Sequence, residues 1–451
     1  MGQIHKFIFN GVKLVLDVAS GALHVVDEVA WEVLDLLEKE KKREEIVRQL
    51  SPRFGQQTVL ETLEEIEKLR AEGQLWSEDI LAGRYQPEEN QPLKALCLNI
   101  AHDCNLRCRY CFAGTGAFGG KRKLMPATTA RQAVDFLLMA SGPRRHVEID
   151  FFGGEPLLNW GVLRETVEYG LARAREAGKK IKFTVTTNGT LLDEEKQEFL
   201  NQYNMSVVLS IDGREEVNDR MRRYPDGRGT YRELLPRYWR FVNSRHQKDY
   251  YLRGTYTAAN LDFYADVAAL VEAGFKEISL EPVVGEGEYA LTPEHLPAIR
   301  ESYENLARYY IERWRAGEEF TFFHFLLDLT GGPCLPKRLS GCGAGYAYLA
   351  VDPEGGLYPC HQFVGREEFC LGTVEEGITR PELSRRFLQA HVYNKEECRC
   401  CWARFLCSGG CHAHAYREKG DIMQPASLAC AITRLRLEAA LYVQAVRGGL
   451  C

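Results

Sequence analysis

The first thirty residues alternate apolar and polar positions in short runs. His5-Lys6-Phe7-Ile8-Phe9, Val12 to Asp17 and Ala22 to Asp27 are β-rich stretches punctuated by Asn10-Gly11 and Ser20-Gly21. That pattern predicts strands over 4–28, with Asn-Gly a strong hairpin signal. The period then changes. Trp31, Val33, Leu34, Leu36 and Leu37 are spaced for one buried helical face, and helices are predicted at about 29–38, 42–51 and 57–72. Residues 73–91 are polar and lead into Gln86-Pro87-Glu88-Glu89-Asn90-Gln91-Pro92, which reads as a linker. From residue 93 strand and helix alternate. Strands fall near 94–100, 146–152, 181–187, 205–211, 250–257 and 277–283, and helices near 127–140, 161–177, 193–202, 230–244 and 261–273. This order argues for a parallel sheet with right-handed crossovers, whose functional groups collect at the carboxyl ends of the strands.

Composition narrows the class only a little. With 451 residues, 45% hydrophobic and 27% charged, the chain has room for two or three globular domains. A net charge of -6 offers no general attraction for nucleic acid or anionic lipid, so neither is expected as a partner. The amino terminus lacks the apolar stretch of a signal peptide, and no run reaches about 18 uncharged apolar residues. A cytoplasmic location is the expectation.

The 15 cysteines change the picture more. In a long chain without an export signal they point to metal ligation rather than to disulfides. Cys104-Asn-Leu-Arg-Cys108-Arg-Tyr-Cys111 offers three thiolates on one short stretch. A [4Fe–4S] cluster normally takes four, so three leave one iron open, and an open position is where a metal centre does chemistry. Further on come Gly153-Gly154-Glu155-Pro156 after the second strand, Thr186-Thr187-Asn188-Gly189 after the third, Ser210-Ile211-Asp212-Gly213 after the fourth, and Leu252-Arg253-Gly254-Thr255 in the fifth. All fall at the same predicted rim. A guanidinium such as that of Arg253 suits a carboxylate bidentately. Near the carboxyl end lie Cys342, then Cys360 after Gly355-Gly356-Leu357-Tyr358-Pro359, then Cys398-x2-Cys401-x5-Cys407-x3-Cys411, and Cys430.

The cysteine triplet, with an aromatic residue before its last member, resembles the signature of the radical S-adenosylmethionine (SAM) enzymes, and Gly153 to Pro156 match that family's GGEP element. The resemblance implies a partial (β/α)6 barrel of the α/β class at 93–320. It also implies catalytic ligation of a SAM-cleaving cluster by Cys104, Cys108 and Cys111. Gly153, Gly154, Glu155 and Pro156 then hold the SAM amino group, Asn188, Ser210 and Asp212 the ribose side, Arg253 the carboxylate, and Tyr110 the adenine. The later cysteines resemble the SPASM pattern. That implies a cysteine-rich domain at 321–451 with two auxiliary [4Fe–4S] clusters, Cys342, Cys360 and Cys411 on the first, and Cys398, Cys401, Cys407 and Cys430 on the second. Three clusters and SAM are thus the expected cofactors. Two auxiliary clusters need eight ligands and the pattern has seven. The eighth is either Cys334 or a substrate thiolate on an open iron, and the open iron is favoured. Cys97, Cys370, Cys400 and Cys451 fit no pattern and read as small buried hydrophobes or neighbours of ligands.

Residues 1–78 resemble the winged-helix-like PqqD-type recognition element, in which a leader peptide adds a strand to the small sheet, with 79–92 as linker. Together the parts look most like the maturases of six-cysteine peptides. These join a peptide cysteine sulfur to a carbon of another residue after a 5′-deoxyadenosyl radical has removed a hydrogen from it. The implied partners are a cysteine-rich precursor peptide and an electron donor such as a ferredoxin or flavodoxin. Two alternatives differ in kind: an anaerobic sulfatase maturase, against which His361 stands where such relatives have an aspartate, and a non-enzymatic iron–sulfur regulator that binds DNA.

Overall fold

A computed structural model describes residues 2–329 and 334–450; Cys451 lies outside the described residues. Strands β1 (Ile4–Phe9), β2 (Val12–Asp17) and β3 (Leu23–Val25) form an antiparallel sheet in that order. Asn10 and Gly11 both take positive φ, 46° and 79°, as a two-residue hairpin of right-twisted strands requires. Helix α1 (Glu28–Glu38) starts at Asp27, whose carboxylate accepts from the Ala30 N–H at 2.9 Å; α2 (Arg43–Phe54) and α3 (Gln56–Ala71) follow. Period-2 alternation gives this sheet two buried faces. Ile4 and Val15 pack with Val33, Leu34, Ile46 and Leu63 of the helices. Phe7, Phe9, Leu14 and Leu16 join the core of the rest of the protein.

The main sheet begins with β4 (Ala95–His102), touched at its end by β5 (Lys123–Leu124). It continues in parallel through β6 (His146–Gly153), β7 (Lys180–Thr187), β8 (Ser206–Ser210), β9 (Tyr250–Tyr256) and β10 (Glu277–Pro282). All eight residues of β4 are buried, as expected for a parallel strand covered on both faces. Helices α4 (Ala127–Ala140), α5 (Trp160–Glu176), α6 (Glu194–Gln202), α7 (Glu215–Met221), α8 (Tyr231–Ser244) and α9 (Tyr264–Glu272) lie between the strands. The six expected strands and five expected helices are present to within a few residues. Helix α7 was not anticipated, because it is short and mostly polar.

The sheet does not close. Beyond β10 lies β11 (Thr321–Phe322), and on the other side β12 (Tyr348–Val351) pairs in parallel with β4, followed by antiparallel β13 (Gly356–Tyr358), β14 (Gly372–Thr373) and β15 (Gly377–Ile378). The cysteine-rich region therefore shares its sheet with the strands before it. The expected linker is also docked: Leu81 and Tyr85 pack on Leu339, Val392 and Cys398, and Tyr393 donates to Asp79 at 2.8 Å. Cys97 and Cys370 sit in a small apolar cluster with Ala350, Tyr358 and Val364. No helix of the described residues is long and apolar enough to cross a membrane.

Candidate active site

A cavity of about 800 Å³ opens at the carboxyl ends of the parallel strands. Cys104, Cys108 and Cys111 line one wall, on the loop that leaves β4. The loop is held by close backbone packing. The Gly154 N–H donates to the Ala101 carbonyl at 2.7 Å and the Glu155 N–H to that of Asp103 at 2.8 Å. A Cβ on Gly153 would lie 2.4 Å from the Ala101 oxygen, and one on Gly154 2.1 Å from the Asp103 oxygen. These glycines thus let β6 meet the cysteine loop. The Cys104 sulfur accepts from the Leu106 N–H at 3.4 Å and from Asn188 Nδ2 at 3.6 Å.

The structure sorts the remaining expected residues into two groups. Tyr110, Gly153, Gly154, Asn188, Ser210 and Arg253 line the cavity. Glu155, Pro156 and Asp212 are buried beside it and are not part of its lining. The Glu155 side chain is fully buried and accepts from Thr187 Oγ1 at 2.7 Å, the Asn188 N–H at 2.7 Å and the Leu157 N–H at 3.0 Å. It braces the rim. Asp212, also fully buried, has its oxygens 2.8 and 2.7 Å from the Tyr110 hydroxyl and accepts from the Thr255 N–H. Burial raises its pKa to about 6, with the charge of Arg222 opposing. Arg222 Nη1 in turn donates to the Tyr110 oxygen at 3.0 Å.

A second part of the cavity lining comes from Cys407, Cys411 and Cys430. The seven carboxyl-terminal cysteines fall into two electrostatic neighbourhoods. Cys342, Cys360 and Cys411 act on one another, as do Cys398, Cys401, Cys407 and Cys430. The resemblance implies the same two groups. Burial, reinforced by mutual repulsion of thiolates, pushes Cys398 up to about 12 and Cys430 to about 11, and at the first wall Cys104 to about 12 and Cys108 to about 11. Crowded thiols of this kind become thiolates when a metal supplies positive charge, so the donor set fits iron–sulfur clusters. Among the described residues no group converges tightly enough for a single metal ion.

Among the other lining groups, Glu281, Arg222 and Arg436 were not legible beforehand, whereas His361 was singled out by its place after Cys360. Glu281, at the end of β10, lies 3.7 Å from Arg253, 3.2 Å from Arg436 and 3.4 Å from His324. It ties the strand rim to the carboxyl-terminal helix Ser427–Arg447. His361 lies 3.4 Å from the Tyr348 hydroxyl, and burial lowers its pKa to about 4, so its imidazole is neutral. Arg222 and Arg436 come from segments rich in other arginines, which gave no signal that these two turn inward.

Residues 98–238 match the Radical SAM superfamily. The chain carries a radical SAM domain. The matched segment holds Cys104, Cys108 and Cys111 and the residues from Gly153 to Asp212. Over 377 residues it is 25% identical to a serine-type anaerobic sulfatase-maturating enzyme of Klebsiella aerogenes, covering 75% of this chain and 87% of that one. A radical SAM cyclopropyl synthase of Paramaledivibacter caminithermalis is 22% identical over 380 residues, 77% of this chain and 74% of its own. An uncharacterised protein of Methanocaldococcus jannaschii is 30% identical over 190 residues, 42% of this chain; the chain spans 62% of that protein's length. The radical SAM fold also matches the structure of native anSMEcpe with bound AdoMet and the Cp18Cys peptide, with a TM-score of 0.65 and 22% identity over 80% of this chain and 100% of that one.

Proposed function

We propose that the protein is a radical SAM maturase that installs a thioether crosslink between a cysteine sulfur and a carbon of another residue in a ribosomally made precursor peptide. One observation carries the reading: a single cavity is lined both by Cys104, Cys108 and Cys111 and by Cys407, Cys411 and Cys430. In this reading the first three ligate the SAM-binding cluster, and the seven later cysteines ligate two auxiliary clusters. When bound, these groups supply reductive cleavage of SAM and a Lewis-acidic seat for a thiolate. The chain's own side chains do the positioning. Asn188 steadies the Cys104 sulfur, Glu155 and Asp212 lock the rim from behind, and Arg253 presents a half-exposed guanidinium for a carboxylate.

A peptide partner is supported on two counts. The structural relative was solved with a peptide, and its whole length aligns with 80% of this chain, so about a fifth of this chain is additional. At the amino end, Lys13–Val26 and Asp17–Ala22 are the hydrogen-bonded pairs of the β2–β3 ladder. Alternation therefore turns the N–H and C=O of Leu23 and Val25 away from β2. These groups have no hydrogen-bond partner among the described residues, an edge of the kind to which an extended leader peptide adds. A small one-electron donor such as a ferredoxin or flavodoxin completes the scheme.

The test is anaerobic incubation of the reconstituted protein, SAM and dithionite with a cysteine-rich peptide encoded beside it. The expected product is lighter by two hydrogens and has lost one alkylatable thiol. An aldehyde product instead of a crosslink would assign the site to formylglycine formation, as in the sulfatase-maturating relatives. Cys334, which is exposed and shares Tyr346 as an electrostatic neighbour with Cys342, is the competing eighth ligand. Unchanged iron content in Cys334→Ala leaves that position to the peptide.

A further inference from the structure

Lys395 is the one lysine of the carboxyl-terminal region whose environment has no counterpart in the mechanism above. Its side chain is buried, with 1% of the residue exposed. The ammonium donates to the Gly409 carbonyl at 2.8 Å and lies 3.5 Å from His412 Nδ1. Gly409 and Gly410 both take positive φ, 85° and 74°, and this left-handed turn between Cys407 and Cys411 aims the carbonyl at the lysine. No carboxylate forms an ion pair with it among the described residues; Glu396 and Glu397, next in the chain, are exposed. The anionic candidates around it are the thiols of Cys398, Cys407, Cys411 and Cys430, drawn from both cysteine neighbourhoods.

An ammonium withdrawn from water without a counter-ion is costly and survives only where an anion or several acceptors compensate it. One carbonyl and one imidazole are not enough. The imidazole adds a second orphan. With Nδ1 turned to the ammonium, Nε2 carries the proton, and this buried N–H has no partner. A cation and a donor, both buried and both incompletely satisfied, flank cysteines that are neutral only while no metal is present.

We propose that Lys395 is a resident counter-charge placed between the two auxiliary clusters, holding their thiolate-rich assemblies and setting their reduction potentials. The inference rests on the cluster reading given above. A fixed positive charge favours the state carrying the extra electron, so removing it disfavours the one-electron-reduced form. Lys395 thereby acts as a positioning and tuning residue, not as a group that touches the peptide.

The experiment compares wild type, Lys395→Met and Lys395→Arg by iron content after anaerobic reconstitution, by dithionite redox titration followed by electron paramagnetic resonance, and by thermal unfolding of the metal-free proteins. Lys395→Met is expected to lose auxiliary-cluster iron or to lower the potential of at least one auxiliary cluster. A tenfold change in the reduction equilibrium corresponds to about 59 mV for one electron. Lys395→Arg restores most of the effect, and the cluster on Cys104, Cys108 and Cys111 is unchanged in both. Without metal the order reverses, because the methionine has no stranded charge: metal-free Lys395→Met unfolds at a temperature equal to or above that of metal-free wild type. A lower unfolding temperature there, or full iron content with unshifted potentials, overturns the proposal. Wild type that binds only about four irons instead removes the auxiliary-cluster reading itself.

Discussion

Cys104, Cys108 and Cys111 come from eight consecutive residues on the loop after β4, whereas Cys407, Cys411 and Cys430 are gathered from the short helix Arg404–Cys407, the turn after it and the helix Ser427–Arg447. The two walls also balance charge differently. Behind the first, the buried Arg222 reaches the buried carboxylate of Asp212 through the Tyr110 hydroxyl, with its Nε left without a partner among the described residues. Within the second, Lys395 has thiols for company and no carboxylate. The first wall thus sets a buried carboxylate against its buried guanidinium. The second offers its buried ammonium no carboxylate, and on the proposal above it is the more sensitive of the two to loss of metal.

The comparison can be broken in four ways, in order of expected effect. Replacing Cys104, Cys108 and Cys111 together by alanine should abolish 5′-deoxyadenosine formation, measured by chromatography, and lower reconstituted iron from about twelve to about eight per chain, as for loss of one of three cubanes. Continued SAM cleavage in that variant would remove the whole scheme. Cys407→Ala should also cost about four irons while the spectral response of the first cluster to SAM persists; if that response vanishes too, the walls are not independent. Gly154→Ala forces a methyl against the Asp103 carbonyl, and overpacking of this kind costs about 1–3 kcal/mol, read as a lower thermal midpoint of the metal-free protein. The smallest effect concerns Asp150, in the cavity lining. Burial raises its pKa to about 6, above the usual value of about 3.9. The folded state therefore holds a proton that the unfolded chain releases, and this contribution is present at low pH and lost as pH rises through about 4 to 6. Asp150→Asn should flatten that part of the stability profile in urea unfolding; an unchanged slope would show that Asp150 is not the group responsible.

Much of the frame was legible because each parallel strand is a short apolar run and each rim motif follows one. The cysteine triplet was legible for a different reason, since its spacing is local and its ligand count chemical. Orientation was not. Glu155 and Asp212 stand at the rim as expected, but whether a carboxylate faces a cavity or braces the wall depends on neighbours such as Thr187, Asn188 and Tyr110, which come from other strands and loops. Arg222, Glu281, Arg436 and Lys395 escaped notice because charged residues in polar segments read as solvated. Only tertiary packing buries them. The parallel pairing of β12 with β4 joins segments some 250 residues apart in sequence, beyond the reach of any local pattern.

The amino-terminal sheet meets the cysteine-rich region directly. The His5 ring stacks on Trp402 with centroids 3.8 Å apart, its Nε2 lies 3.1 Å from Glu438, and Gln3 is held between the Cys400 carbonyl and Arg404. A chimera that exchanged this sheet and its helices for another module would strip the backing from the Cys398–Cys407 turn unless it carried Gln3 and His5 across with it. Those two positions are the seam along which any such graft has to be cut.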